Sequence, residues 1–131
     1  MFQFFRFLKS SKVPKEDAPI FCGNAIIDVT NFSTTSPTEP LGYFCSCDIS
    51  VFANGQIEIR ADDGAKELLE RFSVLDITSA SNNVNNYDPS YATMVSVTTN
   101  AKNLRVTFQS KDPKEKFWNA LTTTYDKLNR A

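Results

Sequence analysis

The side chains able to do chemistry are few and grouped. Two adjacent carboxylates, Asp62 and Asp63, stand before Gly64, and three thiols occur at Cys22, Cys45 and Cys47. Histidine is absent from all 131 residues. That removes the commonest general base near neutral pH, every Ser/His or Cys/His nucleophile pair, and all His-containing metal sites. Paired acids do acid–base work when a cleft holds them at a suitable separation. Adjacent acids at a chain reversal point into water, so Asp62-Asp63 reads as a solvated turn, without the further oxygen donors of a calcium loop. No catalytic residue, metal site or cofactor is expected, and the chain reads as a non-enzyme.

Cys45 and Cys47 are two apart and share one face of a strand. Three cysteines do not make a disulfide framework, and zinc would lack its fourth thiolate or imidazole. They read as packing residues of a cytoplasmic protein.

Charge is unevenly spread. The formal net charge is −1, from 14 Lys and Arg against 15 Asp and Glu. Arg6, Lys9, Lys12 and Lys15 precede the first acid, Glu16, so ten bases face all fifteen acids in the remainder, a net −5. An acidic body excludes generic nucleic-acid binding, which needs a positive face.

The leader interleaves these bases with Phe2, Phe4, Phe5, Phe7 and Leu8. It is not a signal peptide, because Arg6 interrupts the apolar stretch and the other charges follow it. No apolar run approaches the roughly 20 residues that span a bilayer. Phe4, Phe5, Arg6, Phe7, Lys9, Lys12 and Lys15 are candidate contacts to an anionic membrane surface, where each base contributes about 1 kcal/mol. The same aromatics can instead fold back onto the domain or join a partner. The sequon Asn31-Phe32-Ser33 has no consequence without a secretory route.

The elements that position these groups follow from periodicity. The length fits one domain, divided into a leader, 1–18, and a folded body, 19–131. Ala25 to Thr30 reads as a strand and Asn31 to Pro40 as a loop. Gly42 to Phe52 alternates, with Cys45, Cys47, Ile49 and Val51 inward. Asn54-Gly55 then predicts a type I′ hairpin turn into Gln56–Arg60. Ala65 to Phe72 reads as one or two helical turns, Phe72 to Ile77 as a strand, and Ser79 to Ser90 as a long polar loop. A second hairpin joins Tyr91–Thr98 to Leu104–Gln109. The last segment is a helix, with Asp112 as cap, Pro113 at its first position and Glu115 completing a capping box. Phe117, Leu121, Tyr125 and Leu128 form its apolar stripe, flanked by Trp118 and Thr124.

A run of antiparallel strands closed by one amphipathic helix, carried here by Phe117-Trp118-Asn119-Ala120-Leu121 after Arg105-Val106-Thr107-Phe108-Gln109-Ser110, resembles the pleckstrin-homology superfold. The resemblance covers roughly Phe21 to Asn129. It implies an α+β fold in which a curled antiparallel sheet, a partly open barrel of seven strands, is capped by the C-terminal helix. Longin-like α+β folds are the alternative. Phosphoinositide-binding members carry Lys and Arg around the first inter-strand loop; Asn31 to Pro40 has none and one acid, Glu39, so the usual lipid site is not expected. The resemblance implies a non-catalytic adaptor that binds a protein or peptide partner along a strand edge or in the groove beside the helix. Phe44 and Phe52, outward on a polar strand face, are candidate partner contacts. Met1 and an end just after the helix read as the N-terminal domain of a larger protein, with self-association as a further role.

Overall fold

The structure is a computed structural model that describes residues 18–32, 42–82 and 92–130. Seven strands occur among them: β1 Pro19–Asn31, β2 Gly42–Phe52, β3 Gln56–Ala61, β4 Leu68–Ser73, β5 Ile77–Ser81, β6 Met94–Thr99 and β7 Lys102–Thr107. A short 3₁₀ turn, Val74–Asp76, joins β4 to β5, and one helix, α1 Lys111–Arg130, ends the described chain. The sheet order is β4-β3-β2-β1-β7-β6-β5, with every pairing antiparallel. β1 is long enough to serve both halves: it pairs with β2 along most of its length and, from Ile26 to Asn31, with β7. The sheet curls about this shared strand and leaves a seam between its edge strands, β4 and β5. This is the capped, partly open barrel that the resemblance implies.

The alternation read from the sequence is the alternation of burial. Ala25, Ile27 and Val29 of β1, Cys47, Ile49 and Val51 of β2, Ile57 and Ile59 of β3, and the matching residues of β6 and β7 are buried in one core. α1 closes that core. Phe117 is 1% exposed, and its ring lies 5.6 Å from Phe21 at the start of β1 and 5.4 Å from Phe108 just after β7. Phe21 and Phe108 complete the triangle edge-on at 6.0 Å. Aromatic pairs at such separations gain beyond the area they bury. Trp118 is only half-buried, so Phe117 is the aromatic that fills the core.

Several local expectations are corrected. The β2–β3 hairpin is not type I′: Gly55 N–H donates to Phe52 C=O, and the positive φ falls on Gly55 (φ 93) while Asn54 stays negative. Asn54 instead accepts from Gln56 N–H through Oδ1, giving a three-residue loop of turn plus glycine bulge. A Cβ on Gly55 would also lie 2.4 Å from Leu128 Cδ1, so the helix packs directly on this turn. Ala65–Phe72 is not helical. A register shift between Ile59 and Arg60 breaks the alternation of β4, which lets Leu69 and Phe72, three apart, both pack on the core and imitate a helical stripe. Ser79 to Ser81 belong to β5 rather than to a loop. α1 starts at Lys111, which places Asp112 inside the first turn, paired with Lys116. Glu115 pairs with the buried Lys114 instead of reaching back to a cap.

Removing the Phe117 ring should therefore unfold much of what the helix secures. Phe117→Ala is expected to cost about 3–5 kcal/mol in urea denaturation, and Trp118→Ala distinctly less.

Candidate functional site

One concave surface that combines apolar lining with exposed backbone lies between β5 and α1. β5 pairs with β6 on one side only, so among the described residues its other edge carries no strand partner. Ile77, Ser79 and Ala80 form one wall; Leu121, Thr122 and Tyr125 form the other, with Asp126 at the rim. The enclosed space is about 210 Å³, below the roughly 300–1,000 Å³ of ordinary small-molecule sites. It suits a side chain of an extended segment better than a whole cofactor.

Helical spacing builds the second wall. Leu121 is buried beneath the sheet, and Tyr125, four residues on, emerges half-buried beside it. Thr122 Oγ1 donates to Trp118 C=O at 2.9 Å, which holds its rotamer. Only Leu121 and Tyr125 were visible in the apolar stripe. Ser79 and Ala80 were not, because an exposed edge strand shows no apolar alternation.

A second polar assembly lies inside the barrel. Tyr43 O–H donates to Glu70 Oε2 at 3.2 Å, and Lys102 Nζ pairs with Glu70 Oε1. Glu70 sits opposite the inward Ile59, so the trio joins β2, β4 and β7 from within. It stands near the end where Phe32 N–H donates to Ala101 C=O. Burial, reinforced by the adjacent Glu70 carboxylate, pushes the Tyr43 phenol well above its ordinary pKa.

Phe44 is 71% exposed on the outer sheet face, opposite Asp28 of β1, with Ile26 also exposed on that face. Phe52 is half-buried opposite Pro19. The two aromatics are about 27 Å apart along the strand at 3.4 Å per residue, so they do not form one site. The leader candidates Phe4, Phe5, Arg6, Phe7, Lys9, Lys12 and Lys15 lie outside the described residues, as does most of the Asn31–Pro40 loop.

Asp62 and Asp63 serve the architecture separately. Asp63 Oδ1 accepts from Ala65 N–H at 3.0 Å and Lys66 N–H at 2.9 Å, holding Lys66 at positive φ (53). Asp62 accepts from Asn24 Nδ2 at 2.9 Å and Ser46 Oγ at 3.1 Å. Lys66 Nζ reaches Asp48 at 2.6 Å, and this contact, with the Asn24 amide, holds the Asp48 carboxyl below the ordinary carboxylate range. Among the described residues, no group of three or more Cys, Asp or Glu is placed to hold a metal ion.

Cys22, Cys45 and Cys47 are all free thiols. Burial, followed by the hydrogen bond to Cys45 at 3.2 Å, pushes the Cys47 thiol up to about 12.

No protein-family profile and no curated protein matches the sequence. Solved structures do. The Ran-binding domain of the nuclear complex component Nup2 from Ashbya gossypii superposes with a TM-score of 0.56 at 10% identity, covering 83% of this chain and 95% of that one. The PH domain from PfAPH gives 0.56 at 14% identity, covering 81% and 84%, and that from TgAPH gives 0.56 at 13% over the same shares. The chain has the pleckstrin-homology-like fold. No helix among the described residues is long and apolar enough to cross a membrane.

Two expectations follow from these environments. With a thiol-specific disulfide reagent at pH 8, exposed Cys22 should react first and Cys47 at least about a hundredfold more slowly until the protein unfolds. Asp48, depressed in the folded state, binds fewer protons there than when unfolded. Its contribution is present above the unfolded pKa of about 3.9 and is lost as pH falls through the folded value. Asp48→Asn should therefore flatten the acid limb of the stability–pH curve below about pH 4.

Proposed function

We propose that this chain is a non-catalytic interaction module that captures an extended protein segment along β5, with α1 as the facing wall. The observation that carries the reading is the coincidence, among the described residues, of a strand edge without a strand partner and an apolar groove at the same place. A peptide laid antiparallel to β5 would satisfy backbone groups of Thr78 to Ala80 and place alternate side chains between Ile77, Leu121 and Tyr125. One of the structural neighbours is a Ran-binding domain by name, which agrees with an adaptor role. The interior Glu70 pair with Lys102 disfavours a polyphosphate headgroup at that end, since the cation is already neutralised.

The test is selection of binding peptides from a random library, followed by amide chemical-shift mapping on the full chain. Bound peptides should perturb β5 and residues 121–126 of α1. Ala80→Glu should weaken binding at least about tenfold while stability stays within about 0.5 kcal/mol, because Ala80 is a surface residue. Peptides that map to the Phe44 face, with Ala80→Glu inert, would refute the groove as the capture site.

A further inference from the structure

The groove has one charged side chain, and it sets what kind of segment fits. Asp126 is exposed at the rim, directly after Tyr125, and makes no ion pair among the described residues. Its basic neighbours are Lys127, next along the chain, and Arg130, one turn further on. Neither lies within 4.0 Å of its carboxylate, so both leave it available. The remaining lining is apolar or hydroxylic: Ile77, Leu121 and Tyr125 around the cavity, with Thr78, Ser79 and Thr122 at its sides. At about 210 Å³ the cavity takes one medium apolar side chain. Beyond the leader the chain carries a net −5, a field that favours approach by positive partners.

Resting on the capture reading above, we infer that the occupant of the β5–α1 groove is an extended peptide in which an apolar residue is accompanied by a lysine or arginine that meets Asp126. The apolar side chain fills the space beside Leu121 and Tyr125, and hydrogen bonds to the β5 edge fix the strand. The basic side chain then extends along the rim to the carboxylate. An acidic residue at that position meets the same carboxylate unfavourably. The charge thus supplies selection among segments that the apolar cavity alone would accept equally, and rim charges of this sort change association rate and salt dependence more than total affinity.

The experiment uses the full chain and three synthetic peptides that are identical except for one position beside a central leucine, occupied by lysine, glutamine or glutamate. Affinities are measured by fluorescence anisotropy at low and physiological salt, with the binding site mapped by amide shifts. The lysine peptide should bind about three- to fivefold more tightly than the glutamine peptide, with glutamate weakest. The lysine advantage should shrink as salt rises. Asp126→Asn should bring the three affinities together. Equal binding of all three peptides to the wild-type chain, or a lysine preference that survives in Asp126→Asn, overturns the assignment while shifts on β5 keep the capture site intact. If all three peptides leave β5 and α1 unperturbed, the capture reading itself fails.

Discussion

The contact of Phe117 with Phe21 and Phe108 is the joint on which the molecule depends. Phe21 opens the first strand and Phe108 follows the last, so the two ends of the sheet in sequence meet under one helical side chain. Among the described residues strand pairing does not close this barrel, because the edge strands β4 and β5 pair with their inner neighbours and not with each other. Closure falls to α1. Phe117 fixes its first half, and Leu128 fixes its last turn against Gly55 and Val74. Those anchors are about 16 Å apart at 1.5 Å per residue. The stretch between them, from Leu121 to Asp126, forms one wall of the groove.

Much of this was legible in the residues. Where one strand face is buried and the other wet, as in β2, β6 and β7, period-two alternation exposes the element. The 3.6-residue period of α1 does the same, and together these elements carried the resemblance to the superfold. What stayed hidden lacked such a contrast. β5 is exposed along most of its length, so Ser79-Ala80-Ser81 looks like the polar chain that follows it. β4 carries Glu70 on its inner face and a register shift beside Ile59, and the two together erase its alternation. The Asn54-Gly55 dipeptide announces a hairpin correctly, but the loop has three residues with positive φ on Gly55 alone, at a position where Leu128 and Val74 leave no room for a side chain. Phe117 and Trp118 are adjacent in the same helix, and only packing decides which one enters the core.

The site was harder to read than the fold for the same reason. Leu121 and Tyr125 announce themselves as helix stripe, which says that they are covered but not that one flank remains open. The groove becomes visible only when β5 is known to be the sheet edge that lies beside them. The outward Phe44 was found from alternation alone, whereas its supposed companion Phe52 lies at the far end of the same strand. Charges divide similarly. Glu70 and Lys102 turn inward and tie the barrel together with Tyr43, Asp48 and Asp62 lock the surface through Lys66 and Asn24, and Asp126 has no ion pair among the described residues.

Native-state hydrogen exchange of α1 tests the central claim most directly, since it reports whether the helix is part of the cooperative core or a detachable cover. If the aromatic joint holds the barrel closed, amides around Phe117 and Leu121 will exchange only with the free energy of global unfolding, in step with those of β1 and β7. Exchange of α1 through a lower-energy opening, while β1 and β7 stay protected, would contradict the account.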